Sequence, residues 1–276
     1  MQQWLRFLLL PLGVWLASCT SIESPRVIQF RVGVDAARQQ TATAFAAVNA
    51  VATNDEIDRA ATQNSLSEDA VPVVLAASDT AAWDQAFANI DAYAQALEAL
   101  LSPNVSKDFE DSLVALGQQL QAVQKPVPGP VAAGFTELGR VVIQSKAQRN
   151  ARKFAQQADP AIRNVFTLMA GAVPSLQSTV KAHWDNQMGS QIVAFLGAPK
   201  GPARRQIVVE YVALRDQRDA QDLSLASLRQ SFLSLAEAHS AMARGDPLSL
   251  STALSTVKEE LDETKSLYGR LTASQK

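Results

Sequence analysis

A chain of 276 residues with 25 Lys and Arg against 27 Asp and Glu carries a net charge of −2, which excludes a basic nucleic-acid binder. Its one cysteine excludes an intramolecular disulfide, and a hydrophobic content of 47% is enough to build a real core.

The chain opens with MQQWLR, in which Arg6 is the one charged side chain, followed by the apolar run FLLLPLGVWLA and by Ala17, Ser18 and Cys19. A positive start, a short apolar core and small residues at its end make residues 1–18 a secretory signal. As a helix that core measures roughly 17 Å, too short for a hydrocarbon layer about 30 Å thick. Leu16-Ala17-Ser18-Cys19 resembles the lipobox of bacterial prolipoproteins. The resemblance implies cleavage before Cys19, a diacylglycerol on its thiol and, in Gram-negative cells, a third acyl chain on the new amino terminus. It also implies the outer membrane, facing the periplasm, because Thr20 stands where an Asp would retain the protein at the inner membrane. Acylation gives the lone thiol a use, and at roughly 0.8 kcal/mol per buried methylene two or three acyl chains hold the protein firmly to the bilayer. Residues 19–24 are then a lipidated tether. Thr20 to Ser24 reach about 17 Å when extended, so the body, residues 25–276, sits close to the membrane.

In that body Ser24-Pro25 places a cap residue before a proline at the first helical position. The stripe Val27, Phe30, Val34, Ala37, Thr41, Phe45 and Val48 then steps by threes and fours, as a helix packed along one face requires. Residues 27–34 also alternate like a strand, but the helical period runs on for two more heptads. Segment 63–78 is weaker, with a polar stretch from Asn64 to Asp69 and a break at Pro72. Ser78 opens a helix bearing Trp83, Phe87, Ile90, Ala94, Leu97 and Leu101, which Pro103 bends or ends. Phe109, Leu113, Leu116, Leu120 and Val123 mark the next, and PVPGP at 126–130 is a turn and the best candidate boundary. A helix from Val131 to Ala158 is expected, then a new start at Asp159-Pro160. That helix carries Ile162, Phe166, Met169, Val173, Leu176, Val180, Trp184, Met188, Ile192 and Phe195, with Pro174 kinking or splitting it. GAPKGP at 197–202 turns the chain into a long helix from Ala203 to Arg244; Gly245 ends it and Asp246-Pro247 starts the last, with Leu250, Leu254, Val257, Leu261, Thr264, Tyr268 and Leu271. The expected fold is all-α: one elongated antiparallel bundle of roughly six or seven helices with coiled-coil-like packing, several of them roughly 40 residues and so about 60 Å long.

Residues that could carry chemistry are few. His239 lies on the stripe Leu225, Leu228, Phe232, Leu235, Met242, and His183 beside Trp184 on another. Neither has a helical partner at metal-ligand spacing, so core histidines are expected and no metal or cofactor is. Cys19 is committed to lipid, and no phosphate loop or nucleophile arrangement is present, so no enzyme is expected. Lys146, Arg149 and Lys153, with Arg152 nearby, form a basic face suited to anionic lipid, to a partner, or to Asp216, Asp219 and Asp222. Arg218 and Gln221 interrupt the apolar stripe of their helix; together with His239 they are candidates for a polar layer or ligand contact, unless that stretch lies beyond the core. Arg244-Gly245-Asp246 matches a short receptor-binding tripeptide, but the three fit a helix end, a helix stop and a new cap. The functions left standing are a structural or interaction module for another envelope protein and, as the alternative, a small-ligand carrier or sensor with a cavity beside Arg218 or His239.

Overall fold

In a computed structural model that describes residue 22 and residues 24–63, 73–101, 107–122, 129–145 and 150–273, the helical stripes become seven helices, with no strand among the described residues. These are α1 (Ser24–Gln63), α2 (Ala77–Ala99), α3 (Lys107–Gln121), α4 (Gly129–Gln144), α5 (Ala151–Gly197), α6 (Pro202–Arg244) and α7 (Pro247–Ala273). Every member of the α1 stripe, from Val27 to Val48, is buried, so the strand-like alternation at 27–34 belongs to a helix. One continuous core draws on all seven helices. Cys19, Lys146 and Arg149 lie outside the described residues. No helix among the described residues is long and apolar enough to cross a membrane.

Directions follow from the cross-helix contacts. Arg38 pairs with Asp84, and Arg31 with Asp91 and Glu98, so α2 runs antiparallel to α1. Phe30 meets Phe166 edge-on and Asp55 meets His183, so α5 runs in the same sense as α1. The α5–α6 pair is antiparallel, from Asp159 with His239 at one end to Trp184 with Gln221 further along. Buried Gln40 donates to Thr264 Oγ1 at 2.7 Å and accepts from Ser231 Oγ at 3.0 Å, tying α1 to α7 and α6. α3 and α4 approach closely through two glycines: a Cβ on Gly139 would stand 2.5 Å from the carbonyl oxygen of Gly117.

The helix ends report their causes. Gly245 takes the left-handed conformation at φ 76°, and the Gly245 and Asp246 amides return to the Met242 and Ala241 carbonyls. Asp246 Oδ1 then accepts from the amides of Leu248 and Ser249 to open α7. The tripeptide 244–246 is thus spent on this corner.

Three boundaries differ from expectation. The helix expected over Val131–Ala158 is two: α4 ends at Gln144, and α5 starts behind Asn150, whose Oδ1 accepts the Lys153 amide at 3.0 Å. Asp159-Pro160 starts nothing; both lie inside α5, and the Asp159 carboxylate faces α6. Pro174 neither ends nor splits α5. An interior proline costs ~3 kcal/mol, and burial of Ala158, Ala161, Ile162, Met169 and Val173 around Pro160 and Pro174 offsets it. A smaller shift concerns α2: Ser78 is inside it, and Asp79 Oδ2 receives the Ala76 amide at 3.3 Å.

Candidate functional site

Four features could bear function: a polar chain in the core, a carboxylate–histidine cluster, a polar layer beside an open groove, and an arm that leaves the core.

The core chain is centred on His239, which is fully buried on α6 between Phe30 and Tyr93. Tyr93 Oη lies 3.0 Å from His239 Nε2, and His239 Nδ1 lies 2.9 Å from Asp159 Oδ1. Ser240 Oγ donates to the same carboxylate oxygen at 2.8 Å. Burial and the Asp159 charge push the Tyr93 phenol far above its ordinary range, so it stays protonated and donates to Nε2. That fixes the His239 proton on Nδ1, facing Asp159. Burial opposes ionisation of Asp159, but the hydrogen bonds from His239 and Ser240 outweigh it and hold its pKa below the usual carboxylate value. Tyr93 Oη, both ring nitrogens of His239, Ser240 Oγ and Asp159 Oδ1 each have a partner, and Tyr93 and His239 are sealed from solvent. A buried, satisfied chain of this kind specifies how α2, α5 and α6 meet.

The second cluster joins the far part of α1 to α5. His183 Nδ1 lies 2.7 Å from Asp55 Oδ2, which also accepts from Asn186 Nδ2 at 3.1 Å. Gln187 Nε2 donates to the Val51 carbonyl at 2.9 Å one turn away. Glu56, next to Asp55, pairs with Arg59. Burial and the Asp55 charge raise the Asp58 carboxyl above its ordinary value. Asp55 and Glu56 are buried, at 7% and 8% exposure. Side-chain ligand atoms of Asp55, Glu56 and His183 all lie within 4.8 Å of one another. Sequence reasoning misses this cluster because 128 positions separate Asp55 from His183; the only local signal is two adjacent acids late in a long apolar stripe.

The polar layer contains only part of what the sequence suggests. Trp184 Nε1 donates to buried Gln221 Oε1 at 2.9 Å, while Gln221 Nε2 and Ser224 Oγ are buried without a hydrogen-bond partner among the described residues. Arg218 lies one turn along, with Nη1 3.5 Å from Met188 Sδ and its charge on Asp219. It borders a groove of 580 Å³ with Trp184 and Lys181. His239 belongs to none of this: it stands roughly 27 Å further along α6 at 1.5 Å per residue. The acids also find partners other than the basic face. Asp216 pairs with Arg215, Asp219 with Arg218, and Asp222 Oδ1 accepts from Gln177 at 3.2 Å. Arg152 instead donates to the Arg244 carbonyl at 2.6 Å, closing the last turn of α6 at its opposite end, and Lys153 is exposed nearby.

The arm is the outer part of the α5–α6 hairpin. Met188 is the last buried residue of α5 and Gln221 the first of α6, and nothing from 189 to 220 is buried. The helical stripe nonetheless continues. Val193 and Leu196 are each 70% exposed, and Ile192, Val208, Val209 and Val212 are exposed beside them. Half of the exposed large hydrophobics among the described residues fall in this segment. No acid occurs between Asp185 and Glu210, whereas Lys200, Arg204 and Arg205 do. Arg204 covers the Phe195 ring at 4.9 Å and donates to the Ala198 carbonyl, bracing the turn. Lys200 and Arg205 have no acidic partner among the described residues. The tip is therefore apolar along its sides and positive at its end. The helical spacing at Ile192 and Phe195 does continue the stripe; what it cannot predict is that no helix among the described residues covers it.

No protein-family model matches the chain, and no curated protein and no solved structure matches it.

Proposed function

We propose that the chain is a lipid-anchored helical interaction module of the cell envelope, held to the outer membrane through acylated Cys19 and offering the α5–α6 arm to another envelope protein. The observation that carries this reading is the unburied arm at 189–220, with its apolar stripe and unpaired cations. The arm lies at the far end from Ser24, the residue at which the proposed tether would join α1. α1 climbs from Ser24 to Asp55, and α5 continues the same way from His183 to Gly197, which together extend roughly 70 Å at 1.5 Å per residue. An anchor at one end and a sticky tip at the other suit a strut that reaches away from a membrane. Isolated exposed hydrophobics are ordinary, but a contiguous stripe rimmed by charge is the mark of a contact surface. The chemistry fits a partner with an apolar centre and an acidic rim.

The absence of an enzymatic role is part of the proposal: of the two histidine–aspartate pairs among the described residues, His239 with Asp159 is closed to any substrate by Phe30 and Tyr93, and His183 with Asp55 is joined by Asn186 rather than by a nucleophile. The carrier reading is weaker. It places a cavity at His239 or Arg218, yet His239 is packed on all sides and the Arg218 groove is open. The test combines two variants in living cells. Cys19→Ala is expected to move the protein from the membrane fraction to the soluble one. Val193→Ser with Leu196→Ser is expected to leave it anchored and folded while abolishing its crosslink to the partner. An anchored arm variant that keeps every crosslink of the parent chain would overturn the proposal.

A further inference from the structure

We infer that Asp55, Glu56 and His183 form a binding site for a divalent cation of the zinc class at the root of the arm. The inference stands on the cluster's geometry and is independent of what the arm binds. Three donor groups from two helices converge, with their ligand atoms within 4.8 Å of one another. In a tetrahedral site with metal–ligand bonds near 2.0–2.1 Å, ligand atoms stand about 3.3 Å apart, so the cluster needs only small side-chain rotations to close on an ion. His183 Nδ1 and Asp55 Oδ2, at 2.7 Å, open slightly as the ion takes the position between them. Nδ1 gives up its proton, to solvent or to Nε2, and Asp55 ligates as the carboxylate.

Charge and support agree with a cation. Asp55, Glu56 and Asp58 bring three carboxyl groups into about one helical turn, and Arg59 pairs with Glu56. Two of those carboxylates are buried, where uncompensated negative charge is costly. Outer contacts of the kind that orient metal ligands are already present. Asn186 donates to Asp55, Arg59 holds Glu56, and Gln187 locks α5 to the α1 backbone at Val51. The donor set selects the metal class. One imidazole nitrogen and two carboxylates, with a fourth position for water, suit zinc and its transition-metal neighbours. Calcium wants 6–8 oxygens and magnesium an octahedron of them, which these residues do not supply. The ion would bolt the far part of α1 to α5 immediately before α5 leaves the core at Met188.

The test uses the untagged full-length chain in detergent, stripped with chelator. Addition of zinc is expected to leave about one ion per chain after gel filtration and to raise the melting temperature, and cobalt(II) is expected to give the visible absorption of a tetrahedral site with nitrogen and oxygen ligands. His183→Gln and Asp55→Asn are each expected to weaken zinc at least about tenfold, and Asn186→Ala by about tenfold through loss of ligand orientation. His239→Gln is expected to retain the ion. Less than a quarter of an equivalent bound to the parent chain, an octahedral cobalt spectrum, or full zinc retention in both ligand variants would overturn the inference. The cobalt spectrum of the parent chain decides the matter even if a variant fails to fold.

Discussion

The inner bundle and the arm are built from the same helices with the same spacing of apolar residues, yet only one of them is covered. Along α6, Leu225, Leu228, Phe232, Leu235 and Met242 are buried in the bundle, Phe232 against Trp83 and Phe87 of α2, and even the polar positions among them are used: Ser231 bonds Gln40, and His239 bonds Tyr93 and Asp159. Along the same helix Val208, Val209 and Val212 face outward. Periodicity therefore states which face of a helix is apolar, while the number of neighbours decides whether that face is core or contact surface. The inner region should govern stability and the arm should govern association, and substitutions can separate the two.

The largest effect is expected in the core. Phe232→Ala removes a buried ring stacked on Trp83 and packed against Phe87, and should cost ~3–5 kcal/mol in urea unfolding. Next comes the polar chain. Tyr93→Phe strands His239 Nε2 without a donor and should cost ~1–3 kcal/mol by the same measurement. Asp159→Asn gives this effect a pH signature. The Asp159 carboxyl is held below its unfolded pKa, so its contribution is fully present above the ordinary carboxylate value of about 4 and is lost as pH falls through the folded value. The stability gap between parent and Asp159→Asn should thus be widest near neutrality and narrow in acid; a gap that widens on acidification would contradict the assignment. Gly139→Ala tests the close approach of α3 and α4, since its methyl meets backbone at Gly117 rather than a side chain that can swing away; ~1–3 kcal/mol is expected. The smallest effect belongs to the arm. Leu196→Ala should change the unfolding free energy by less than about 0.5 kcal/mol, because the side chain has almost nothing to lose. A core-sized cost at Leu196 would show that the arm is packed after all.

Much of the fold was legible because helical stripes and corner residues are local. Ser24-Pro25, GAPKGP and Gly245-Asp246-Pro247 each state a helix end in adjacent positions, and each end falls within a residue or two of its signal. The errors arose where a local signal had a distant owner. Asp159-Pro160 carries the pattern of a helix start, but the Asp159 side chain is claimed by His239 and Ser240 on α6. Asn150, the residue that does cap α5, sits inside an apparently continuous helix and lacks a following proline. The candidate sites were less legible still. The polar position at His239 was visible, but its partners Tyr93 and Asp159 come from two other helices. The Asp55–His183 cluster needs the parallel course of α1 and α5, and the adjacent acids Asp55 and Glu56 are its only local trace. The basic face was visible too, but Arg152 serves a backbone carbonyl at the Arg244 helix end rather than the acids at 216–222.

The central claim, that the arm is a contact surface, is tested most directly by site-specific photocrosslinking in cells. One photoreactive residue replaces Leu196 on the arm, and another replaces Leu248, an even more exposed apolar side chain, 80% accessible, at the opposite end of α6 where α7 begins. The account predicts a discrete adduct of defined mass from position 196, lost when Lys200 and Arg205 are both changed to Glu, and none from position 248. The same bands from both positions, or a discrete adduct from 248 alone, would contradict it.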